Sequence, residues 1–135
     1  QVRRALEGLD VTFVQNPTHT DGMGTSVAAG IAAVARTSAT AALIALGDMP
    51  YVRASTYNEL VRAYRVAAPG RVILPMAGDA QTRRPGNPTV WPRALFADLI
   101  ALTADEGGRS ILRRHPERAE WCEVQDPGVL QDVDR

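Results

Sequence analysis

The sequence predicts an α/β layered domain, and three observations carry that prediction. The apolar period switches several times along the chain between the strand kind and the helix kind. The run Ala41 to Leu46 is continuously apolar, as in a strand covered on both faces of a largely parallel sheet. Pairs such as Asn16-Pro17 and Pro69-Gly70 divide the periodic segments from one another. With 135 residues the chain can form one compact core but not two ordinary domains, so a single domain over residues 1–135 is expected. A composition of 45% hydrophobic and 22% charged residues is that of a folded globular protein, with no repeat, low-complexity tract or linker.

Val11 to Val14 reads as a short β-rich strand that ends at Asn16-Pro17, because proline cannot continue a ladder. A helix is expected from Thr25 or Ser26, either of which can cap it, with Val27, Ile31 and Val34 on one face up to Arg36. Ala41 to Leu46 follows as the central strand. After Pro50, residues Tyr57, Leu60, Val61 and Tyr64 mark the core face of a second helix that stops before Pro69-Gly70. Val72 to Pro75 and Thr89 to Trp91 read as strands. Pro92 opens a helix to Leu102, Ser110 to Arg114 forms a small one, and Trp121 to Val124 and Val129 to Asp132 are extended. Strands alternating with helices imply a mainly parallel sheet, whose ligands bind where strands give way to loops.

Several function classes are excluded or disfavoured before any motif is considered. Fifteen basic and fifteen acidic residues give a formal net charge of zero, so no overall field draws the chain to nucleic acid. The longest apolar run, Ala39 to Gly47, is far shorter than the roughly 20 residues of a membrane span. Cys122 is the single cysteine and has no internal disulfide partner, which fits a reducing, cytoplasmic setting. The chain opens at Gln1 with neither an initiator Met nor a signal-peptide pattern. His19, His115 and the Arg113, Arg114, Arg118 cluster have no metal or triad spacing and are expected at the surface.

The segments that can carry chemistry stand at predicted strand ends and helix starts. In Gly47-Asp48-Met49-Pro50 a carboxylate follows a buried strand, where it either caps the turn or ligates Mg²⁺, a hard cation suited to carboxylate and phosphate oxygens. Asp132-Val133-Asp134 repeats the theme, since alternate residues of an extended segment point to one side; a solvated terminus is the plainer reading. Gly86-Asn87-Pro88, preceded by Arg83 and Arg84, is either an ordinary turn or a close backbone approach to a phosphorylated ligand. Asp105-Glu106-Gly107-Gly108-Arg109 either joins two helices or positions Arg109. Gly22-Met23-Gly24-Thr25-Ser26 lies at a helix start, where free amides favour an anion or a polar base edge; it is neither a Walker loop nor a dinucleotide fingerprint.

In their order along the chain these five segments resemble the MobA-like nucleotidyltransferases, most closely the molybdenum-cofactor cytidylyltransferases (MocA-like), from about Val11 to the final residues. The resemblance implies a three-layer α/β/α sandwich like that of the nucleotide-diphospho-sugar transferases. It implies Mg²⁺ held by Asp48 and Asp134 as catalytic carboxylates, with Asp132 in support. It implies that Gly22, Met23, Gly24 and Ser26 lie beside the nucleoside, and that Gly86, Asn87, Pro88, Asp105 and Arg109 face the acceptor. The implied reaction joins CTP, in preference to GTP, to molybdopterin with release of pyrophosphate. Another phosphorylated or sugar acceptor is the first alternative, and a non-catalytic ligand-binding remnant of the fold is the second.

One departure from the resemblance is large. Relatives open with a strand and a glycine-rich Leu-Ala-Gly-Gly type loop that cradles the triphosphate, and this sequence contains neither. The domain is therefore expected to be truncated at its N-terminus, the chain as given to lack appreciable transfer activity, and exposed sheet edges to favour self-association.

Overall fold

The computed structural model describes residues 2–104 and 106–133. In chain order the elements are α1 (Val2–Ala5), α2 (Met23–Val34), β1 (Ala41–Ile44), α3 (Ala54–Val66), β2 (Val72–Ala77), β3 (Arg84–Pro85), β4 (Thr89–Pro92), α4 (Phe96–Ile100), α5 (Gly108–Arg114) and β5 (Ala119–Glu123), joined by loops and short 3-10 turns. The fold is α/β, as the apolar pattern predicts.

Five strands form one sheet in which β1 neighbours β4, β4 neighbours β2, and β2 also pairs with β3 and β5. Alternation along each strand sends side chains to opposite faces. On one face Val72, Leu74 and Trp91 join Ile31 of α2, Phe96 and Leu99 of α4 and Ile111 of α5. On the other, Ile73 and Val90 pack against Leu60 of α3. Helices thus cover both faces, giving three layers.

The expectation of a mainly parallel sheet is corrected: the sheet is mixed. β2 and β5 are parallel, whereas β4 runs antiparallel to both β1 and β2. The physical reason lies in residues 78–83, which connect β2 to β3 and are too few for the crossover of about a dozen residues that a parallel neighbour requires. The chain instead reverses at Gly78, whose φ of +112° suits glycine, and at Asp79, whose Oδ1 accepts the amides of Gln81 (2.9 Å) and Thr82 (2.8 Å). The Thr82 hydroxyl and these two amides hold the Asp79 carboxyl below its ordinary range.

Other expectations are corrected locally. Val11–Val14 has the composition of a strand but is unpaired coil, with Val11 and Val14 exposed, because β propensity without a neighbouring edge forms no ladder. Among the described residues β1 pairs only with β4, and a cavity of about 580 Å³ lies between its other side and Thr12 and Val14. Helix α2 begins at Met23, so Thr25 and Ser26 fall inside its first turn and do not cap it; Gly22, at φ +123°, takes the N-cap position. Asn16 Nδ2 ties the preceding loop down by donating to Thr25 Oγ1 (2.9 Å) and Ser26 Oγ (3.1 Å). The helix expected from Pro92 is a 3-10 turn, Arg93–Leu95, followed by the short α4. Arg93 is turned back to the end of α2, where its guanidinium donates to the carbonyls of Ala35 (2.7 Å), Thr37 (3.0 Å) and Ala39 (2.7 Å). Finally, residues 129 and 130 are not extended but complete a 3-10 turn, Pro127–Leu130, that starts because the Asp126 side chain accepts the Gly128 amide.

Candidate functional site

The topology brings the sequence motifs to one end of the sheet. Strands β1, β2 and β5 share a direction and β4 opposes them, so the loops after β1, β2 and β5 and the turn before β4 gather together. This is where an α/β sheet presents loops to a ligand. A cavity of about 750 Å³ opens there. Its apolar wall includes Val27, Ile44, Leu46, Leu74, Trp91 and Leu99, and its polar rim includes Asn87, Thr103, Glu106, Arg109, Ser110 and Arg113.

Three of the five motifs contribute to this cavity. Met23 reaches it from the start of α2, Gly86 and Asn87 from the turn before β4, and Arg109 from α5. Ser26 and Met23 line the neighbouring 580 Å³ cavity, so the two cavities share the α2–β1 wall. Gly22 and Pro88 line neither; Pro88, after a cis peptide, is buried beneath the turn. Asp105 lies outside the described residues.

Gly24 and Gly86 owe their small size to protein contacts. A Cβ on Gly24 would meet the carbonyl oxygens of Glu106 at 2.5 Å and Ala104 at 2.9 Å, and the Gly24 amide donates to Ala104 O at 3.0 Å. Gly24 therefore joins the Gly22–Ser26 motif to the loop that carries Arg109. Gly24→Ala is expected to cost about 1–3 kcal/mol, because the obstructing atoms are backbone and cannot swing away; urea unfolding of the variant measures it, and a loss below about 0.5 kcal/mol would contradict the contact. At Gly86 the obstructing atom is the Val129 carbonyl oxygen, while the neighbouring Asn87 amide donates to that same oxygen at 3.0 Å.

The remaining two motifs meet away from the cavity wall. Asp48 is exposed in the turn after β1, and the Val133 amide donates to Asp48 O at 2.8 Å, which lays the segment of Asp132 alongside that turn. Asp132 is exposed as well, and Asp134 lies outside the described residues. Among the described residues no three His, Cys, Asp or Glu side chains cluster into a metal cage. The carboxylates of Asp48 and Asp132, on segments joined by that backbone bond, are the hard oxygen donors here that could hold a cation such as Mg²⁺, which needs only one or two carboxylates besides water and phosphate oxygens.

Trp91, Ser110 and Arg113 line the cavity without having been singled out as site residues. Arg109 and Arg113 are four apart on α5, a helical spacing that puts them on one face and was legible in the sequence. Trp91 was legible only as strand core; its ring is placed by packing against Gly108 and by donation from Nε1 to Thr89 Oγ1 at 2.8 Å. Neither Arg109 nor Arg113 forms an ion pair among the described residues, whereas Arg114 faces Asp98 at 3.9 Å.

Besides Asp79, two titratable groups outside the cavity are displaced from their ordinary ranges. Burial pushes the Asp126 carboxyl up, but the Thr56 hydroxyl, the amides of Arg53 and Gly128 and the Arg53 charge outweigh it and leave the group below the usual carboxylate range. Burial, with a contribution from the Glu59 carboxylate, pushes the Cys122 thiol up, so it stays protonated and is a poor nucleophile. His19 and His115 are at the surface, His115 beside Glu117 at 3.6 Å.

Fold and cavity together define an α/β sandwich domain with an open cavity at the end of the sheet where β1, β2 and β5 terminate, the end at which such sheets present loops to ligands. The family model for the MobA-like NTP transferase domain matches residues 1–119, and the chain belongs to that family. It is thereby a nucleotidyltransferase domain, with a nucleoside triphosphate as substrate. No curated protein matches the chain. Among the described residues no helix is long and apolar enough to cross a membrane.

Proposed function

We propose that the domain serves cytoplasmic molybdenum-cofactor biosynthesis as a MocA-like, Mg²⁺-dependent transferase that joins CTP, in preference to GTP, to molybdopterin. The observation that carries this reading is the 750 Å³ cavity into which Met23, Asn87 and Arg109 project from three separate motifs. Its apolar wall suits a flat heterocycle, and the guanidiniums of Arg109 and Arg113 suit a phosphate on that ring. In the reaction a terminal phosphate oxygen of the acceptor forms a bond to the α-phosphorus of the triphosphate. The bond from that phosphorus to the β-phosphate bridging oxygen breaks, and pyrophosphate leaves with its electron pair. No bond to the protein forms. The chain's own contribution is to hold the acceptor in the cavity, to orient its phosphate through Arg109 and Arg113, and to present Asp48 and Asp132, with Asp134, to a metal ion. Mg²⁺ held there would neutralise charge developing on the phosphates.

The test is pyrophosphate release from CTP and from GTP, each with purified molybdopterin and Mg²⁺, beside a titration of molybdopterin followed by Trp91 fluorescence in a Trp121→Phe background. Release with CTP, faster than with GTP, together with quenching, is the result expected of a protein that carries this domain together with a glycine-rich triphosphate loop, whereas residues 1–135 alone are expected to show quenching without appreciable release. Release supported by a sugar phosphate but not by molybdopterin would move the acceptor. Quenching without release in the loop-bearing protein would favour a ligand-binding domain.

A further inference from the structure

The transfer reaction proposed above gives Asp126 no role, yet this residue is 3% exposed and its carboxylate is fully engaged. Oδ2 accepts the Arg53 amide at 2.9 Å and the Thr56 hydroxyl at 2.5 Å, both in the opening turn of α3. Oδ1 accepts the Gly128 amide at 3.0 Å. Removing a carboxylate from water is unfavourable unless such donors replace the water, and here they come from segments 70 or more residues apart in sequence. One segment follows directly on the Asp48 turn. The other leads to Asp132.

Contacts on either side of Asp126 extend from this junction. Gly128 lies against the Tyr51 carbonyl so closely that a Cβ would collide with it. The Val129 carbonyl accepts the Asn87 amide at 3.0 Å, and the Val133 amide donates to Asp48 O at 2.8 Å. The stretch 126–133 therefore bonds both to the acid turn and to the substrate turn, and Asp126 is the buried charge that anchors it to α3.

We propose that Asp126 is a positioning residue: by fastening the first turn of α3 to the Pro127–Leu130 turn, it sets the register among the Asp48 turn, the Asp132 segment and the Asn87 turn. Its bearing on catalysis rests on the nucleotidyl-transfer reading of those turns; the register itself does not.

Amide hydrogen exchange in the chain without metal or nucleotide tests the register alone, so it can fail while the proposed reaction stands, and the reverse. In Thr56→Val, which removes one donor to Asp126, the Val133 and Asn87 amides are expected to exchange roughly tenfold faster than in the parent, as local opening becomes easier. Thr56→Ser, which keeps the hydroxyl, is expected to restore the parental rates at both amides. Unchanged Val133 and Asn87 rates in Thr56→Val, even with faster exchange at Leu74 and Val90, would reduce Asp126 to a general stabiliser and overturn the proposal. Equal acceleration in the valine and serine variants would also overturn it, since the lost element would then be the threonine methyl.

Discussion

Asp126→Ala is expected to lower the unfolding free energy by roughly 3 kcal/mol, because it strands three donors that, among the described residues, this carboxylate alone accepts. The Arg53 and Gly128 amides and the Thr56 hydroxyl lie at a closed junction, and Thr56 is only 1% exposed. The effect should depend on pH with a definite sign. The folded carboxyl lies below its ordinary range, so the native state binds fewer protons here than the unfolded chain. Stability from this group is therefore fully present above about pH 4 and is lost as pH falls through the depressed folded value. Asp126→Asn keeps one acceptor oxygen, so it should cost less than alanine at neutral pH and should flatten the acid limb. Urea titrations from about pH 3 to about pH 7 read both features; an acid limb of unchanged steepness in the asparagine variant would show that other groups carry it.

In a protein that carries this domain together with the glycine-rich triphosphate loop, Asp48→Asn is expected to slow nucleotidyl transfer about 100- to 1,000-fold, the equivalent of several kcal/mol of lost charge stabilisation at a metal site. Its effect on folding should stay within about 0.5 kcal/mol, since Asp48 is exposed and its structural bond, from the Val133 amide, goes to the backbone carbonyl. That split separates a chemical role from a structural one. Pyrophosphate release gives the first quantity and thermal unfolding the second. Independently of turnover, Mn²⁺ titration followed by electron paramagnetic resonance should show weaker binding in the variant; equal Mn²⁺ affinity and equal rate would remove Asp48 from the metal site.

Much of the architecture was legible because it rests on local periodicity. Leu60 with Tyr64 fixes the inner face of α3, and the unbroken apolar runs at Ala41 and Val72 mark strands covered from both sides. Pairing was less legible. The Thr12-Phe13-Val14 stretch carries as strong a β signal as Thr89-Val90-Trp91, but only the second lies against a neighbouring edge. The Leu130 region reads as extended by composition and is held in a 3-10 turn by Asp126, whose role depends on Thr56 and Arg53, far away in sequence.

The candidate site divides in the same way. The motif glycines could be found in the sequence, but not what they face: Gly24 meets the carbonyls of residues 104 and 106, and Gly86 meets that of Val129. Likewise, two arginines four apart on a helix are a pattern, whereas the cavity they rim exists only once α5 is packed over Trp91.

What the sequence by itself determined is the layered α/β class, most of the helices and strands, and the order of the five motifs, because each depends on residues within a turn or two of one another. Tertiary structure alone decided the placement of β4 between β1 and β2, the idle strand signal at Val11–Val14, the convergence of three motifs on one cavity and the engagement of Asp126. Each of those depends on which distant backbone or side chain arrives to pair a hydrogen-bonding group, and no local pattern of residues encodes that arrival.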